Sequence, residues 1–285
     1  KRDLKQSYLN GDADLMGLAK WPWPVTDFGP VIAARKAVPI NRELLVSEMM
    51  KQYEGMGDAE LTRLQIQKIS SENTFTVTTG HQVCLLGGPM FTLYKIATVI
   101  GLASVLSHSH PGKEFVPVLW MATEDHDWEE VNHFFTSFTE KRFYPGKFKG
   151  PVGRHTLEPS ILETLSESTA EWIRACYSPG RTMAEAFRML MHHLFGKHGL
   201  VILDADQPAL KAAFGPAMAA ELQLNGMAGP VKETTQHLED LGFKPQILPR
   251  TINLFYIGDG ERTLIDIVEN RYQLTNHYVP TKSIL

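Results

Sequence analysis

Four ionisable side chains stand in an unbroken row, Glu124, Asp125, His126 and Asp127, directly after an apolar run. A histidine flanked by carboxylates has its charged form favoured and can act as a general acid or base. One aspartate could instead cap a helix beginning near His126, where acids also suit the helix dipole. Capping accounts for one acid and leaves the others unexplained. Metal binding is the rival chemistry, since His126, Asp127 and His133 are ligand types. Those histidines are seven apart, however, whereas H-E-x-x-H sets its histidines four apart. The four residues are read as catalytic, with no metal.

A second stretch, Thr74 to Lys95, offers binding rather than proton transfer. It begins as a strand in which Phe75 and Val77 alternate with threonines. It breaks at Gly80 and again at Gly87-Gly88, and Pro89 opens a helix. That order aims loop N–H groups and a helix N-terminus at one spot, which suits an anion. Thr79, Gly80, His81, Gln82, Gly88 and Lys95 are the candidate substrate- or anion-binding residues. The N–H groups around Gly87 to Met90 are expected to hold a carboxylate or phosphate, aided by Lys95 if its side chain turns back; the alternative is that Lys95 snorkels from a buried helix. Farther on, Arg250 and Asn253 are polar interruptions of an apolar region; they are candidates for reaching the same crevice, or simply satisfy backbone groups. The glycine spacing matches neither a P-loop nor the usual dinucleotide fingerprint.

Both stretches need strands to position them. Residues 115–122 read F-V-P-V-L-W-M-A, an apolar run suited to a strand covered on both faces, as in a parallel sheet. Pro117 argues for an edge or a bulge. In open α/β sheets, ligands bind at the carboxyl ends of the strands. If the two strands are parallel neighbours, Gly80–Gln82 and Glu124–Asp127 face one crevice. Residues 200–203 read as a third strand, followed by Asp204 and Asp206, the latter a helix cap.

The remaining chain carries less chemistry. Residues 1–70 form a helical lead-in packed on the core: W-P-W-P at 21–24, a helix capped by Asn41, and another from Asp58 to Ile69. In the latter, Leu61, Leu64 and Ile69 share one face. Residues 90–106 read as a helix buried on most of its surface. Residues 71–285 form the core, with an irregular and helical insertion near 138–198. That insertion has a basic part at 138–158, either a solvated connection or a mobile phosphate-binding loop, then helices near 159–177 and 182–197, with surface or helix-end histidines at 192, 193 and 198. A helix at about 230–241 and three short strands follow, the last two joined at Asp259-Gly260.

Composition sets the outer bounds. The chain has 285 residues, 43% apolar and 21% charged, ordinary for a globular protein. A net charge of −4 argues against nucleic acid as partner. Two cysteines give no disulfide framework and fit a reduced cytoplasmic compartment. No apolar run reads as a membrane span, and the first residues lack the apolar segment of a signal peptide. Residue patterns alone reach an α/β small-molecule enzyme with an acidic crevice.

The residues also carry a resemblance. T-G-H-Q, G-G-P-M-F-T-L-Y-K and P-V-L-W-M-A-T-E-D-H-D-W-E-E-V-N-H resemble the bacillithiol biosynthesis family BshC, the cysteine-adding enzymes. G-L-V-I-L-D-A-D at 199–206 and P-R-T-I-N-L-F-Y at 249–256 match as well. The likeness runs through nearly the whole chain. It implies a Rossmann-like parallel-sheet core akin to nucleotidyltransferases, with helical insertions. It implies a ligase forming an amide bond between L-cysteine and glucosaminyl-malate, which makes a low-molecular-weight thiol in the bacterial cytosol. ATP or ADP is the candidate cofactor, and the family's full-length chain is a homodimer. The family often has glutamine at the place of His81, threonine at that of Gly87, and glutamate at that of Thr251. Its chain is also longer than this one. Two alternatives stay open: a truncated, non-catalytic binding or scaffold module of the same fold, and a metal-dependent small-molecule enzyme.

Overall fold

A computed structural model describes residues 2–278 apart from 22–23, 138–139, 225, 248, 259, 269–270 and 275–276. The chain forms two compact units. One comprises Asn41–Ala213 with Ile257–Arg262, the other Lys1–Ile40, Phe214–Tyr256 and Thr263–Leu285. The units therefore do not divide at residue 70: the Asn41 helix and its successor belong with the sheet, and residues 1–40 do not.

The first unit contains strands β1 (Thr74–His81), β2 (Glu114–Met121), β3 (His133–Phe135), β4 (Lys141–Phe143) and β5 (Val201–Asp204). β1, β2 and β5 form a parallel sheet in that order, and β3 and β4 form a separate antiparallel pair. Successive side chains of a strand face opposite ways. Leu119, Met121 and Ile202 accordingly pack with helices Phe91–Ser109 and Met183–Phe195. Val116, Val118, Val201 and Leu203 pack instead with Met49, Ile66 and Ile69 of the preceding helical region. With both faces covered, β2 is apolar almost throughout.

Pro117 lies in the central strand, not at an edge. The Ala122 N–H donates to the His81 carbonyl of β1. By the alternation of strand groups, residue 117 faces β5, whose ladder begins only at Val118 opposite Val201. The donor that proline lacks thus falls beyond the end of the ladder.

Side chains close the outer edge of β5 where a further strand would otherwise pair. The Tyr53 hydroxyl accepts from the Ile202 N–H, and Gln52 bonds both the N–H and the carbonyl of Asp204. Thr62 donates to the Leu200 carbonyl. Burial pushes the Tyr53 phenol up to about 12, so it stays protonated.

Several expected elements are displaced. Asn41 caps its helix as read, its side chain accepting from Leu44 N–H at 3.1 Å. The next helix is Glu60–Lys68, and Asp58 precedes it with a positive φ of 51°. Its inward face is Thr62 and Ile66, continued by Ile69, while Leu61 and Leu64 are exposed. The Phe91–Ser109 helix buries Thr92, Ile96, Val99, Ala103 and Leu106, but Phe91, Tyr94 and Val105 stand exposed. It is a one-faced helix on the sheet. By length and composition alone it is apolar enough to cross a membrane, unlike the expectation above. The 159–177 segment splits into Ser160–Thr164 and Glu171–Cys176. Met183–Phe195 opens with a full capping box between Thr182 and Glu185.

In the second unit, helices Gly215–Leu224 and Ala228–Asp240 accompany strands β6 (Phe255–Gly258), β7 (Glu261–Val268) and β8 (Arg271–Leu274). The tip of the β6–β7 hairpin, residues 257–262, groups with the first unit. Residues 246–249 form no strand where described, and Asp259 and part of W-P-W-P lie outside the described residues.

Candidate functional site

Parallel register sets Gly80 beside Trp120 and His81 beside Met121, so the loops leaving β1 and β2 start from one sheet edge. Gln82 joins them. Its Nε2 donates to Asp125 Oδ2 at 2.9 Å and to Glu130 Oε2 at 2.5 Å. The Arg262 guanidinium lies 3.0 Å from His126 Nδ1 and 3.8 Å from Asp125 Oδ1. Arginine can only donate, so Nδ1 accepts in that contact, which turns an Nε2–H outward. Asp125 also accepts from the His126 backbone N–H at 2.8 Å. Burial opposes its charge most, yet the bonds from Gln82 and His126 N–H, with Arg262 nearby, together hold its carboxyl below the ordinary range. The cluster therefore presents a fixed carboxylate and an exposed imidazole N–H side by side.

The turn that carries these groups is clamped through its backbone. Val152 N–H donates to the Asp125 carbonyl and Gly153 N–H to the Thr123 carbonyl. A Cβ on Gly153 would lie 2.4 Å from Thr123 Cβ, so only glycine permits this approach. Residues 152–154, expected to be a solvated connection, are thus a brace. On the other side, Thr123 donates to Asp204 Oδ1. Trp128, first residue of the short helix Trp128–Val131, anchors the far end by donating to the Gly146 carbonyl. That helix starts two residues later than expected, and Asp127 stands at its N-cap without a side-chain cap bond.

Glu124 points into a different set of contacts. Its carboxylate lies 3.3 Å from Lys211 Nζ, and Lys211 also pairs with Asp206. Arg154 meets Asp206 through two parallel bonds, at 2.6 and 2.9 Å. Asp206 is therefore the buried centre of a charge cluster, not merely a helix cap. Burial opposes its ionisation most, but Arg154 and Lys211 together pull its carboxyl below the ordinary range. His126, Asp127 and His133 gather no metal site: among the described residues, no three potential ligands are so placed. His133 Nδ1 instead meets the Glu129 carbonyl.

The glycine turn differs from its expected form. Gly87 and Gly88 N–H groups donate to the carbonyls of Cys84 and Leu85, closing the turn upon itself. Lys95 Nζ donates to the Gly80 carbonyl at 2.6 Å and so pins the end of β1, not the Gly87–Met90 turn. His81 stacks on Phe91, with ring centroids 5.2 Å apart; burial first, then the Lys95 charge, lowers its pKa. Thr79 is half-buried in β1. Arg250 and Asn253 belong to the second unit. There Arg250 lies over the Phe255 ring, and Asn253 donates twice to Glu221 through its backbone and side chain.

Sequence reading missed Arg262, and it placed Arg154 in a basic stretch without its partner Asp206. Arg262 is 136 residues from His126, a distance no local pattern spans. The nearest signal is Gly150, with φ of +92°, where a Cβ would lie 3.0 Å from Gly260 of the hairpin tip.

A parallel sheet flanked by helices, with polar groups converging beyond its carboxyl ends, defines a Rossmann-like α/β domain. The chain belongs to the bacillithiol biosynthesis BshC family: the model of that family's N-terminal Rossmann-like domain matches residues 1–282. A protein of Flavobacterium johnsoniae named "Putative cysteine ligase BshC" is 40% identical over 287 residues, covering 96% of this chain and 54% of its own. Its namesake in Cytophaga hutchinsonii is 38% identical over 243 residues, covering 85% of this chain and 46% of its own. In Bacillus mycoides the figures are 27% over 291 residues, 93% and 53%. The chain spans about half the length of the curated relatives it matches.

Proposed function

We propose that this chain is the N-terminal half of a ligase that forms an amide bond between L-cysteine and glucosaminyl-malate, completing bacillithiol in the bacterial cytosol. The observation that carries the reading is the convergence of Gln82, Asp125, His126 and Arg262 from three separate segments within a domain of this family. The amine of glucosaminyl-malate must lose one proton and attack the cysteine carboxyl carbon, which must shed a leaving group. ATP is the candidate source of that leaving group. A carboxylate held charged by Gln82 and Arg262 suits the orientation of an amine better than the acceptance of its proton. The Nε2–H of His126 suits the carbonyl oxygen on which negative charge grows. Full-length subunits act as a homodimer in this reading, without nucleic acid or membrane as partner.

The test is a ligation assay with the family's full-length chain, following bacillithiol by mass spectrometry. Asp125→Asn is expected to cut turnover by about a hundredfold, the loss that goes with a mispositioned reactant, with little change in melting temperature. Normal turnover in a folded Asp125→Asn protein would overturn the assignment. A second reading, for the 285-residue chain assayed by itself, is a binding module of the same fold. Substrate binding without turnover by the 285-residue chain is its signature.

A further inference from the structure

His126 Nδ1 stands between two groups that make opposite demands on it. Arg262 Nη1 lies 3.0 Å away and Asp125 Oδ1 lies 3.4 Å away. A guanidinium only donates, so it needs the nitrogen bare. An ionised carboxylate only accepts, so it needs the nitrogen protonated. A neutral imidazole carries one N–H and cannot meet both demands. The partner that prevails at Nδ1 therefore decides what the other ring nitrogen, Nε2, can do. With Arg262 as partner, Nε2 carries the proton and donates. With Asp125 as partner, Nε2 is bare and accepts, like the base of a histidine–aspartate pair.

The distances favour Arg262. An approach of 3.0 Å lies within the hydrogen-bond range, and 3.4 Å lies outside it. Asp125 has other donors as well. Its Oδ1 accepts from the His126 backbone N–H at 2.8 Å and its Oδ2 from Gln82 Nε2 at 2.9 Å. The carboxylate is satisfied without the ring. All three side chains remain within reach of solvent, at 51% exposure for His126, 28% for Asp125 and 21% for Arg262.

Arg262 arrives from the turn between β6 and β7, and the seat of that turn is glycine on glycine. Gly150 has φ of +92°, and a Cβ there would lie 3.0 Å from the Cα and carbonyl carbon of Gly260 and 3.1 Å from the Glu261 nitrogen. Bare backbone against bare backbone lets the tip settle two residues before Arg262. Two residues past Gly150, the Val152 N–H donates to the Asp125 carbonyl. One short loop thus receives the tip and clamps the acid turn, which fixes the arginine against the ring.

We propose that Arg262 is a positioning residue: seated through Gly150, it keeps His126 Nδ1 bare and makes His126 a hydrogen-bond donor, not a base. A histidine among carboxylates reads as an acid–base group, and one arginine from 136 residues away reverses the role of its free nitrogen. An Nε2–H takes an acceptor oxygen and turns away an ammonium, which is left to Asp125. The proposal rests on the ligase reading only for what the Nε2–H meets, the carbonyl oxygen of the carboxyl group under attack. The place of the proton rests on the contacts alone.

Nitrogen NMR of the 285-residue chain, isotope-labelled in its histidine rings, tests it at about pH 8.5, where an ordinary imidazole is neutral. The His126 signals are identified by their loss in His126→Gln. The unsubstituted chain is expected to show the Nε2–H form. Arg262→Met should shift the ratio of the two forms towards Nδ1–H by at least about tenfold, since the partner left is a charged acceptor. Adding Asp125→Asn to Arg262→Met should remove most of that shift. Gly150→Ala, which leaves the arginine in the chain but unseats the tip, should move the ratio in the same direction by less. If Gly150→Ala fails to fold, Arg262→Met decides. An Nδ1–H form in the unsubstituted chain overturns the proposal, as does an unchanged ratio in a folded Arg262→Met chain. In the family's full-length chain, Arg262→Met should lower kcat by about a hundredfold with KM little changed, because a bond to a developing oxyanion counts in the transition state. A shifted ratio with kcat unchanged upholds the role of Arg262 and removes His126 from the ligase reading.

Discussion

The loops after β1 and β2 leave the same sheet edge, yet they are built in opposite ways. The glycine turn at Leu85–Gly88 satisfies its own backbone, spending the Gly87 and Gly88 N–H groups on Cys84 and Leu85. Leu86, at φ 51°, donates its N–H to the buried Tyr177 hydroxyl. The acid turn is held from outside, by Val152 and Gly153 on its carbonyls and by Asp204 on Thr123. Bracing by other segments frees its side chains for work. A loop that closes on itself is architecture; a loop clamped from elsewhere can hold its reactive groups still.

That contrast predicts different consequences for two glycines. Gly88 has φ 72° and ψ −151°, a region nearly reserved for glycine, and a Cβ would meet Cys84 Cβ at 2.8 Å. Gly88→Ala is expected to cost about 3 kcal/mol in chemical denaturation, strain and overpacking together. Ligand affinity of the folded fraction should not change. Gly153→Ala should cost less stability, about 2 kcal/mol, because its backbone conformation is ordinary. It should cost more function, since relief of the clash must push Thr123 and with it Asp125. Equal functional loss from both substitutions would erase the distinction between the turns.

The smallest expected effect concerns acid. Burial lowers the pKa values of His81, His155 and His192 below imidazole's ordinary 6.5. The unfolded chain therefore binds more protons just below pH 6.5, and stability falls as pH drops through that range. Asp125 and Asp206, held below the ordinary 3.8, keep their contribution until pH falls past that value, and lose it further down. Unfolding midpoints measured from pH 8 to 3 should thus decline in two stages. His192→Phe should shrink the first alone, since His81 and His155 remain; a single decline near pH 4 would remove the histidines from the account.

The three strands of the parallel sheet were legible because apolar runs and turn residues act locally, whereas the β3–β4 pair was not read and the strand expected at 246–249 does not form where described. β1 begins at Thr74 as read, and Asn41 caps its helix as read. The Phe91–Ser109 helix misled because its composition is apolar all round, while only one face has a sheet to cover it. Leu61 and Leu64 misled similarly: helical spacing shows that residues share a face, not which face turns inward. His192 read as a surface residue because nothing in M-H-H-L-F reveals that Tyr53 and Asp58 come to meet its ring. Of the acid turn, the sequence shows four ionisable groups. It cannot show that Glu124 joins Lys211 while Asp125 joins Gln82 and Arg262, since those partners arrive through tertiary packing.

Pro117 has a meaning beyond tolerance. Its missing N–H faces β5 one residue before that strand's ladder begins. Were β5 to dock two residues nearer the start of β2, one of its carbonyls would face a position with nothing to donate. The proline acts as a stop in the pairing of two parallel strands whose apolar side chains would pack nearly as well when slipped. It favours the alignment that sets Asp204 beside Met121, next to the start of the acid turn.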